Sequence, residues 1–260
     1  MSRYYPVKNI RTNEKIKRFF SEKKDTLVLS CLEGTMGCVY TDHLQSPKTA
    51  LAILGDFCFP AGEADLEGAL FWPGCYGKKF GIIVPPDREW ELCIRQAYGE
   101  KAREITRYAL KKEKHVWDLD KLALAVKSLP SPYKVQRIDR EIYQYAKENT
   151  WCQDWVSQFE NYEAFRDHGQ GVAITLEGIP VAGASSYSYY GEGIEIEIDT
   201  HPKYRRKGLA YRAAAALILE CEKLGLYPSW DAHNKASLSL AQKLGYHLDE
   251  PYKAYEIEIK

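Results

Sequence analysis

The chain has 260 residues, 45% of them hydrophobic, and its 36 Lys and Arg residues are balanced by 36 Asp and Glu residues. A net charge of zero argues against the basic surface of nucleic-acid-binding proteins. No window is long and apolar enough to cross a membrane, and no signal-peptide core precedes the charged N-terminal region. The seven cysteines show no CxxC spacing, which favours reduced thiols rather than a metal site. Together these features predict a cytoplasmic protein with no nucleic-acid, membrane or metal partner.

The first half of the chain alternates short apolar runs with turn residues. The predicted elements are, in order, a helix over 13–24, strands over 26–32, 36–41 and 50–59, an irregular segment over 63–79, a strand over 80–84, a helix over 85–98, a strand over 105–110 and a helix over 118–129. Pro130-Ser131-Pro132 is the best linker candidate. The sequence therefore predicts an N-terminal α+β domain over 1–131 and a second domain over 132–260.

The second half has clearer boundaries. Its predicted elements are a strand over 133–138, helices over 139–148 and 158–167, strands over 171–176 and 180–187, a strand from Ile194, a helix over 208–223, a strand over 227–232, a helix over 236–244 and a strand over 252–259. A meander of three antiparallel strands followed by a crossover helix predicts a mixed, mostly antiparallel sheet flanked by helices, in the α+β class.

The stretch from Ile194 to Ala210 combines a strand and a helix start. Isoleucines at 194, 196 and 198 alternate with acids at 195, 197 and 199, which is the period of a strand with two different faces. Arg205-Arg206-Lys207-Gly208 then leads into a strong helix-forming run. A helix N-terminus with free N–H groups, three cations and a glycine is suited to binding phosphate.

The segment 132–260 resembles the GNAT superfamily of acyl-CoA-dependent N-acyltransferases. Arg205–Ala210 fills the family signature R/Q-x-x-G-x-G/A, and His201-Pro202 precedes it as is usual there. Asn234–Ser237, followed by Lys243–Tyr246, looks like the family's later helix. The resemblance implies a GNAT-type fold for 132–260.

The sequence at residues 208–210, 221–223 and 227–234 also resembles a bacterial subgroup in which a GNAT domain follows a divergent N-terminal half. That subgroup includes an antibiotic-resistance acetyltransferase acting on zwittermicin. The first half also looks like a degenerate copy of the second. A strand, a Glu-Gly turn (Glu33-Gly34 and Glu177-Gly178) and two further strands recur, but acids replace the basic cluster. An unrelated accessory domain is an equally open interpretation.

The resemblance implies the residues that bind acetyl-CoA, the expected co-substrate. The pyrophosphate is expected at the start of the central helix, the pantetheine arm along the main chain at the end of the preceding strand, and further contacts at the later helix. The implied binding residues are Ile198, Asp199, Thr200, Arg205, Arg206, Lys207, Gly208, Leu209, Ala210, Asn234 and Ser237. Asn234 is equally suited to cap the helix that follows it.

Two carboxylates on the predicted strand from Ile194 are candidates for the base that deprotonates the acceptor amine, Glu197 first and Glu195 second. Three acids on one strand face repel one another, which raises at least one pKa. The alternative is that they only attract a cationic substrate or face solvent. The family's tyrosine acid would stand at Ala241, so Tyr246, Tyr252 or water is left as a substitute.

These features predict an acetyl-CoA-dependent N-acetyltransferase that acts as a monomer or homodimer, without a metal. The expected acceptor is an amine on a small antibiotic-like or polyamine-like molecule. The alternatives are acetylation of a protein, or a CoA-binding sensor or structural module with little turnover.

Overall fold

The structure is a computed structural model that describes residues 3–72 and 80–258. Its contacts divide the chain into two compact units, one formed by the residues up to Arg107 and from Pro251 onward, the other by Tyr108–Glu250. The predicted boundary at 131/132 therefore falls inside the second unit. The physical reason is that α5 (Leu119–Lys127) packs against α8 (Leu209–Leu224), while the end of the chain pairs with a strand of the first unit.

The first unit is built on one twisted sheet. Its elements are β1 (Tyr5–Pro6), α1 (Glu14–Lys17), α2 (Thr26–Glu33), β2 (Cys38–Thr41), β3 (Thr49–Leu54), β4 (Phe57–Gly62), α3 (Leu66–Ala69), β5 (Phe80–Ile83), α4 (Arg88–Tyr98), the start of β6 (Arg103–Leu110) and most of β13 (Leu248–Glu258). The strand order is β1-β2-β3-β4-β5-β13-β6. β4 and β5 pair in parallel, whereas the pairs β1–β2, β2–β3, β3–β4 and β5–β13 are antiparallel.

The second unit carries a five-stranded sheet with α8 packed on it. Besides α5 and α8, its elements are β7 (Tyr133–Arg137), α6 (Arg140–Glu148), α7 (Tyr162–His168), β8 (Gly171–Leu176), β9 (Ile179–Tyr190), β10 (Gly193–Thr200), β11 (Tyr227–Ser229), β12 (Asp231–Ala232) and α9 (Lys235–Leu244). The order is β11-β10-β9-β8-β7, and β10–β11 is parallel. Ile194 of β10 and Leu217 of α8 are fully buried in one apolar core.

The two units share one strand order, which is consistent with the predicted duplication. In each, a strand and a helical segment precede three antiparallel strands, a helix and a strand that pairs in parallel. The matching series are β1-β2-β3-β4-β5 and β7-β8-β9-β10-β11. A different order in the first unit would have argued against duplication.

Two elements predicted in the first half are wrong. Residues 26–32 form the helix α2 rather than a strand, because the buried Leu27, Val28 and Cys31 follow helical spacing. Gly34, with φ +61°, ends that helix and is not a hairpin turn. The predicted strand over 50–59 is instead the hairpin β3–β4, turning at Gly55-Asp56. The loop between β2 and β3, rather than Glu33-Gly34, therefore corresponds to Glu177-Gly178.

No helix in 3–72 and 80–258 is both long and apolar enough to cross a bilayer. Within the same ranges, no group of three or more His, Cys, Asp or Glu side chains is arranged to hold a metal ion. Part of the predicted irregular segment (73–79), which includes Cys75, and the end of the last predicted strand lie outside the described residues.

Candidate functional site

The strands β10 and β11 separate within the second unit, and the resulting opening is called the strand fork. They pair only from Gly193 to Glu195, opposite Tyr227–Ser229. Beyond this point β10 stays paired with β9 as far as Thr200, while β12 pairs with the end of β6. This divergence leaves one edge of β10 without a neighbouring β11 strand over 196–200.

The turn after β10 shapes the start of α8. Arg206 and Gly208 both adopt left-handed backbone conformations, with φ +62° and +73°. Gly208 is the N-cap residue of α8 and, having no side chain, does not cap the helix's first N–H groups. By contrast, Asp139 and Asn234 cap α6 and α9 through their side chains. The start of α8 is therefore open to an anionic ligand.

Four cations surround this turn. Arg205 Nε donates to Thr200 O at 3.3 Å, and Lys207 Nζ lies 5.2 Å from the centre of the Tyr204 ring. Arg212, which the sequence analysis did not identify, donates to Gly208 O at 3.2 Å, and its buried Nε donates to no described residue. Arg206 completes the set. This combination of guanidinium, ammonium and backbone N–H donors fits a pyrophosphate. The four-residue spacing from Gly208 could have revealed Arg212.

Asp199, near the end of β10, is the acid whose titration is most altered. Burial and the nearby Asp154 carboxylate raise the pKa of Asp199 to about 6, although Arg205 and the Trp155 indole N–H act in the opposite direction. Asp154 and Trp155 belong to a short helical turn between α6 and α7. The raised pKa of Asp199 therefore comes first from burial and then from Asp154 of another element, rather than from the expected repulsion among the three acids of β10.

Replacing Asp199 by Asn should stabilise the protein at alkaline pH and have little effect at acidic pH. The carboxyl has an ordinary pKa of 3.8 and a folded-state pKa of about 6. Its contribution to stability is therefore complete below pH ~4 and is lost as the pH rises through ~6. Thermal unfolding against pH should show a gain of about 3 kcal/mol for D199N at pH ~8, because each pKa unit corresponds to about 1.4 kcal/mol. In D154N the same pH dependence should be shallower. An equal effect of D199N at both ends of the range would contradict this interpretation.

The two sequence-predicted bases occupy different positions on β10. Glu195 is 6% exposed, and its Oε1 has no hydrogen-bond partner within the described part of the chain. It is the last residue of β10 that pairs with β11 and so lies at the base of the strand fork. Glu197 lies beyond that point, and its Oε1 accepts a hydrogen bond from Ile198 N–H at 3.2 Å. Position and burial favour Glu195 over Glu197, the first candidate from sequence.

The residues at the start of α9 are held by local hydrogen bonds. Asn234 Oδ1 accepts from the N–H groups of Ala236 and Ser237, at 2.9 and 3.0 Å, and so acts as the helix cap. Ser237 Oγ accepts from the buried Trp230 indole at 3.0 Å. Trp230 stands between β11 and β12, where the strand fork widens. These bonds fix α9 next to the diverging strand.

The candidate tyrosine acids are engaged elsewhere. Tyr246 is 2% exposed, and its hydroxyl donates to Pro228 O at 2.6 Å. Burial raises its pKa well above the ordinary value, which makes it a poor proton donor to an exposed thiolate. Tyr252 lies in the first unit, where its hydroxyl accepts from Arg107 Nε. Ala241, at the family's tyrosine position, is fully buried in the core of the second unit.

Tyr246→Phe should lower stability without altering catalysis. The substitution leaves the Pro228 carbonyl without its donor, at a cost of about 1–3 kcal/mol. Chemical denaturation should show this loss, while kcat and its alkaline pH limb stay at wild-type values. A variant with intact stability and a large fall in kcat would instead identify Tyr246 as the general acid.

In the first unit, the turn that corresponds to the basic start of α8 carries negative charge instead. After β4, Asp65 caps α3 by accepting from Gly68 N–H at 3.1 Å. Tyr4 and Arg3 both donate to the Asp65 carboxylate, at 2.8 and 3.0 Å. A capped helix start with an anionic side chain is unsuited to phosphate. The sequence-predicted loss of the basic cluster from this unit thus has a structural counterpart.

Comparisons with known proteins agree on the family. A family model described as GNAT acetyltransferase matches residues 17–255. A crystal structure of a GCN5-related N-acetyltransferase-like protein from Streptococcus suis is 44% identical, with a TM-score of 0.89 over 94% of this chain and 97% of that one. The uncharacterized N-acetyltransferase YdfB of Bacillus subtilis is 27% identical, with 92% and 94% of the two chains covered. A tandem GNAT protein from the clavulanic acid biosynthesis pathway shares the fold alone, with 11% identity, a TM-score of 0.50 and 99% and 98% covered.

Proposed function

Because the chain belongs to the GNAT acetyltransferase family, we propose that it transfers the acetyl group of acetyl-CoA directly to an amine of a small molecule. The observation that carries this proposal is the strand fork next to the uncapped, basic start of α8. The strand fork opens an edge of β10 to an extended ligand, and the start of α8 provides an anion site at the end of that edge.

The proposed co-substrate site follows β10 into α8. The pyrophosphate binds the N–H groups of residues 206–210, with Arg205, Arg206, Lys207 and Arg212 supplying charge. The pantetheine arm lies along the open edge at Ile198, Asp199 and Thr200. Thr200 Oγ1, which is buried without a partner in the described chain, supports a polar ligand there. Asn234 and Ser237 border the site from the start of α9.

The acceptor must lose a proton before it reacts, because an ammonium has no lone pair. We assign this role to Glu195 at the base of the strand fork, with Glu197 as the second candidate. The neutral amine attacks the thioester carbonyl carbon, a C–N bond forms and the C–S bond breaks. Of the two protons that the ammonium loses overall, one ends on the CoA thiol and one goes to solvent.

A dedicated acid is not required for the leaving group. A free thiol has a pKa of roughly 8.5, so its thiolate is a moderately stable leaving group at neutral pH. This agrees with the buried Ala241 and with the internal hydrogen bond of Tyr246. Positioning and deprotonation of the amine then supply most of the rate acceleration.

The acceptor is proposed to be an antibiotic-like or polyamine-like amine. Asp154, Glu197 and Asp199 place negative charge along the second unit's open strand edge and the adjoining turn, which favours a cationic substrate. Similarity of the sequence to the subgroup with a zwittermicin acetyltransferase supports the same class. A protein amine remains an outcome of the test.

The test is release of CoA thiol from acetyl-CoA across a panel of amines. The panel contains polyamines, amino-sugar antibiotics, amino acids and lysine peptides, with product mass confirming the acetyl amide. Turnover of a small amine above the hydrolysis background supports the proposal. Turnover of peptides alone would reassign the substrate class, and binding of acetyl-CoA without any transfer would contradict it.

A further inference from the structure

A lysine reaches the base of the strand fork from the segment that follows β6. Lys112 Nζ donates a hydrogen bond to Ser229 Oγ, and Ser229 is fully buried at the end of β11. Ser229 is in register with Glu195, and this is the last pair before β10 and β11 separate. Although its amine contacts a buried residue, Lys112 as a whole is exposed. The amine of Lys112 therefore stands where the fork opens, on a side chain that solvent can reach.

The backbone on both sides of Lys112 is held in place by hydrogen bonds. The Tyr227 hydroxyl donates to Lys111 O at 3.1 Å and accepts from Glu113 N–H at 3.2 Å. Lys111 N–H donates to His247 O at 2.9 Å, and the Glu113 carboxylate contacts His247 Nδ1 at 2.7 Å. Tyr227 is the first residue of β11. These bonds fix the segment against β11, so its lysine is directed to the fork by a tied backbone rather than by a loose loop.

The proposed position of acetyl-CoA directs its acetyl group toward this amine. The pyrophosphate is assigned to the start of α8, which follows the end of β10, and the pantetheine arm to Ile198–Thr200. The arm therefore runs back along β10, and the thioester at its far end points toward Glu195 and the base of the fork. A strand advances about 3.3 Å per residue, so Ile198 and Glu195 are about 10 Å apart along it. Lys112 thus lies at the end of the fork toward which the reactive group of the co-substrate extends.

We infer that Lys112 is an acetylation site of the protein itself, modified by the acetyl-CoA bound in the same chain. The inference rests on the co-substrate site of the proposed function, but not on the identity of the small-molecule acceptor. Two observations support it, the contact of the Lys112 amine with Ser229 at the base of the fork and the exposure of the Lys112 residue. A nucleophile held next to a bound thioester has a raised effective concentration, so proximity favours Lys112 over other exposed lysines.

The reaction forms one amide and releases CoA. The Lys112 ammonium first loses a proton to solvent, which leaves its nitrogen with a lone pair. The nitrogen attacks the thioester carbonyl carbon, a C–N bond forms and the C–S bond breaks. A second N–H proton ends on the CoA thiol. The product is a neutral amide, so the modification removes a positive charge from the base of the strand fork.

The test incubates the full-length protein with acetyl-CoA alone and follows acetylation of each lysine by peptide mass. Lys114 is the matched comparison, because it lies two residues from Lys112, is exposed and approaches Glu192 only to 4.0 Å. We expect Lys112 to be acetylated at least about tenfold faster than Lys114. The rate at Lys112 should saturate with acetyl-CoA and should not depend on protein concentration, because the donor is bound in the same chain.

Two variants separate this reaction from chemical acetylation of exposed lysines. Gly208→Asp weakens the proposed co-substrate site, so at low acetyl-CoA it should slow modification of Lys112 about 100-fold and leave Lys114 unchanged. Lys112→Arg keeps the positive charge, but a guanidinium stays protonated and is no nucleophile. Its intact mass should therefore show only the background acetylation.

Each outcome decides the inference. Equal rates at Lys112 and Lys114, a rate at Lys112 that rises with protein concentration, or one that Gly208→Asp leaves unchanged would overturn it. Acetylation of a small amine by a protein whose Lys112 stays unmodified would overturn the inference alone and leave the proposed function standing. A modified Lys112 in a protein that acetylates no small amine would support the inference and contradict the proposed acceptor.

Discussion

Gly208→Asp should weaken acetyl-CoA binding about 100-fold while leaving the fold intact. Aspartate tolerates the left-handed conformation of Gly208, whose φ is +73°. Its carboxylate would place a negative charge beside the first N–H groups of α8, which are the donors assigned to the pyrophosphate. Loss of charge-assisted hydrogen bonds together with like-charge repulsion amounts to about 3 kcal/mol, which gives the stated factor. Calorimetric titration with acetyl-CoA measures it.

Gly208→Asn is the matched control for this change. Asparagine has the same shape but carries no charge. The added Cβ meets only the flexible end of Arg212, at 2.8 Å, which a side-chain shift can accommodate, although any side chain at φ +73° is strained. We expect Asn to weaken binding far less than Asp, and both variants to lose a similar, small amount of thermal stability. Equal, near wild-type affinity in both variants would remove the phosphate site from this turn.

Glu195→Gln should lower kcat/KM by about 100-fold or more. General base catalysis contributes factors of about 10² to 10⁴, and Glu195 is the buried acid at the base of the strand fork. The amide is isosteric but cannot take up a proton. Rates from CoA release at saturating acetyl-CoA measure the effect once an acceptor is known.

Glu197→Gln provides the comparison within the same strand. Its carboxylate already accepts from Ile198 N–H, a bond that a glutamine oxygen can retain. We therefore expect a fall of less than about tenfold, with the pH profile kept. The reverse order, with E197Q severely impaired and E195Q nearly normal, would restore the ranking made from sequence. Two unimpaired variants would exclude both carboxylates as the base.

The second half of the fold was predictable because its helix-capping residues and its turn glycines mark the same element boundaries. Asp139 and Asn234 cap helices where the sequence places them, and Gly225 ends α8. The first half contains short apolar runs for which helix and strand are equally compatible with the composition. For α2, burial on one helical face decided the structure, and that depends on tertiary packing rather than on propensity.

The candidate site was predicted only where the motif is contiguous. Arg205–Ala210 could be identified from spacing alone. The pair Asp154 and Asp199 could not, because a turn between two helices brings Asp154 to β10. The pairing of Glu195 with Ser188 depends on strand register, which skips Tyr187 where β9 and β10 shift their pairing. No sequence pattern reports such a shift.

The strand order shared by the two units leads to an expectation about the number of acetyl-CoA molecules that one chain binds. Both units share the order of five strands, yet only the second has an uncapped, basic helix start after its third antiparallel strand. In the first unit, Asp65 fills that position and is itself held by Arg3 and Tyr4. The chain therefore has this order of five strands twice and the proposed co-substrate site once.

The stoichiometry of acetyl-CoA binding tests this account most directly. Titration of the full-length protein should give one acetyl-CoA per chain, with an affinity that Gly208→Asp reduces and Asp65→Asn leaves unchanged. Two sites per chain, no binding, or a single site that is insensitive to Gly208→Asp would contradict it.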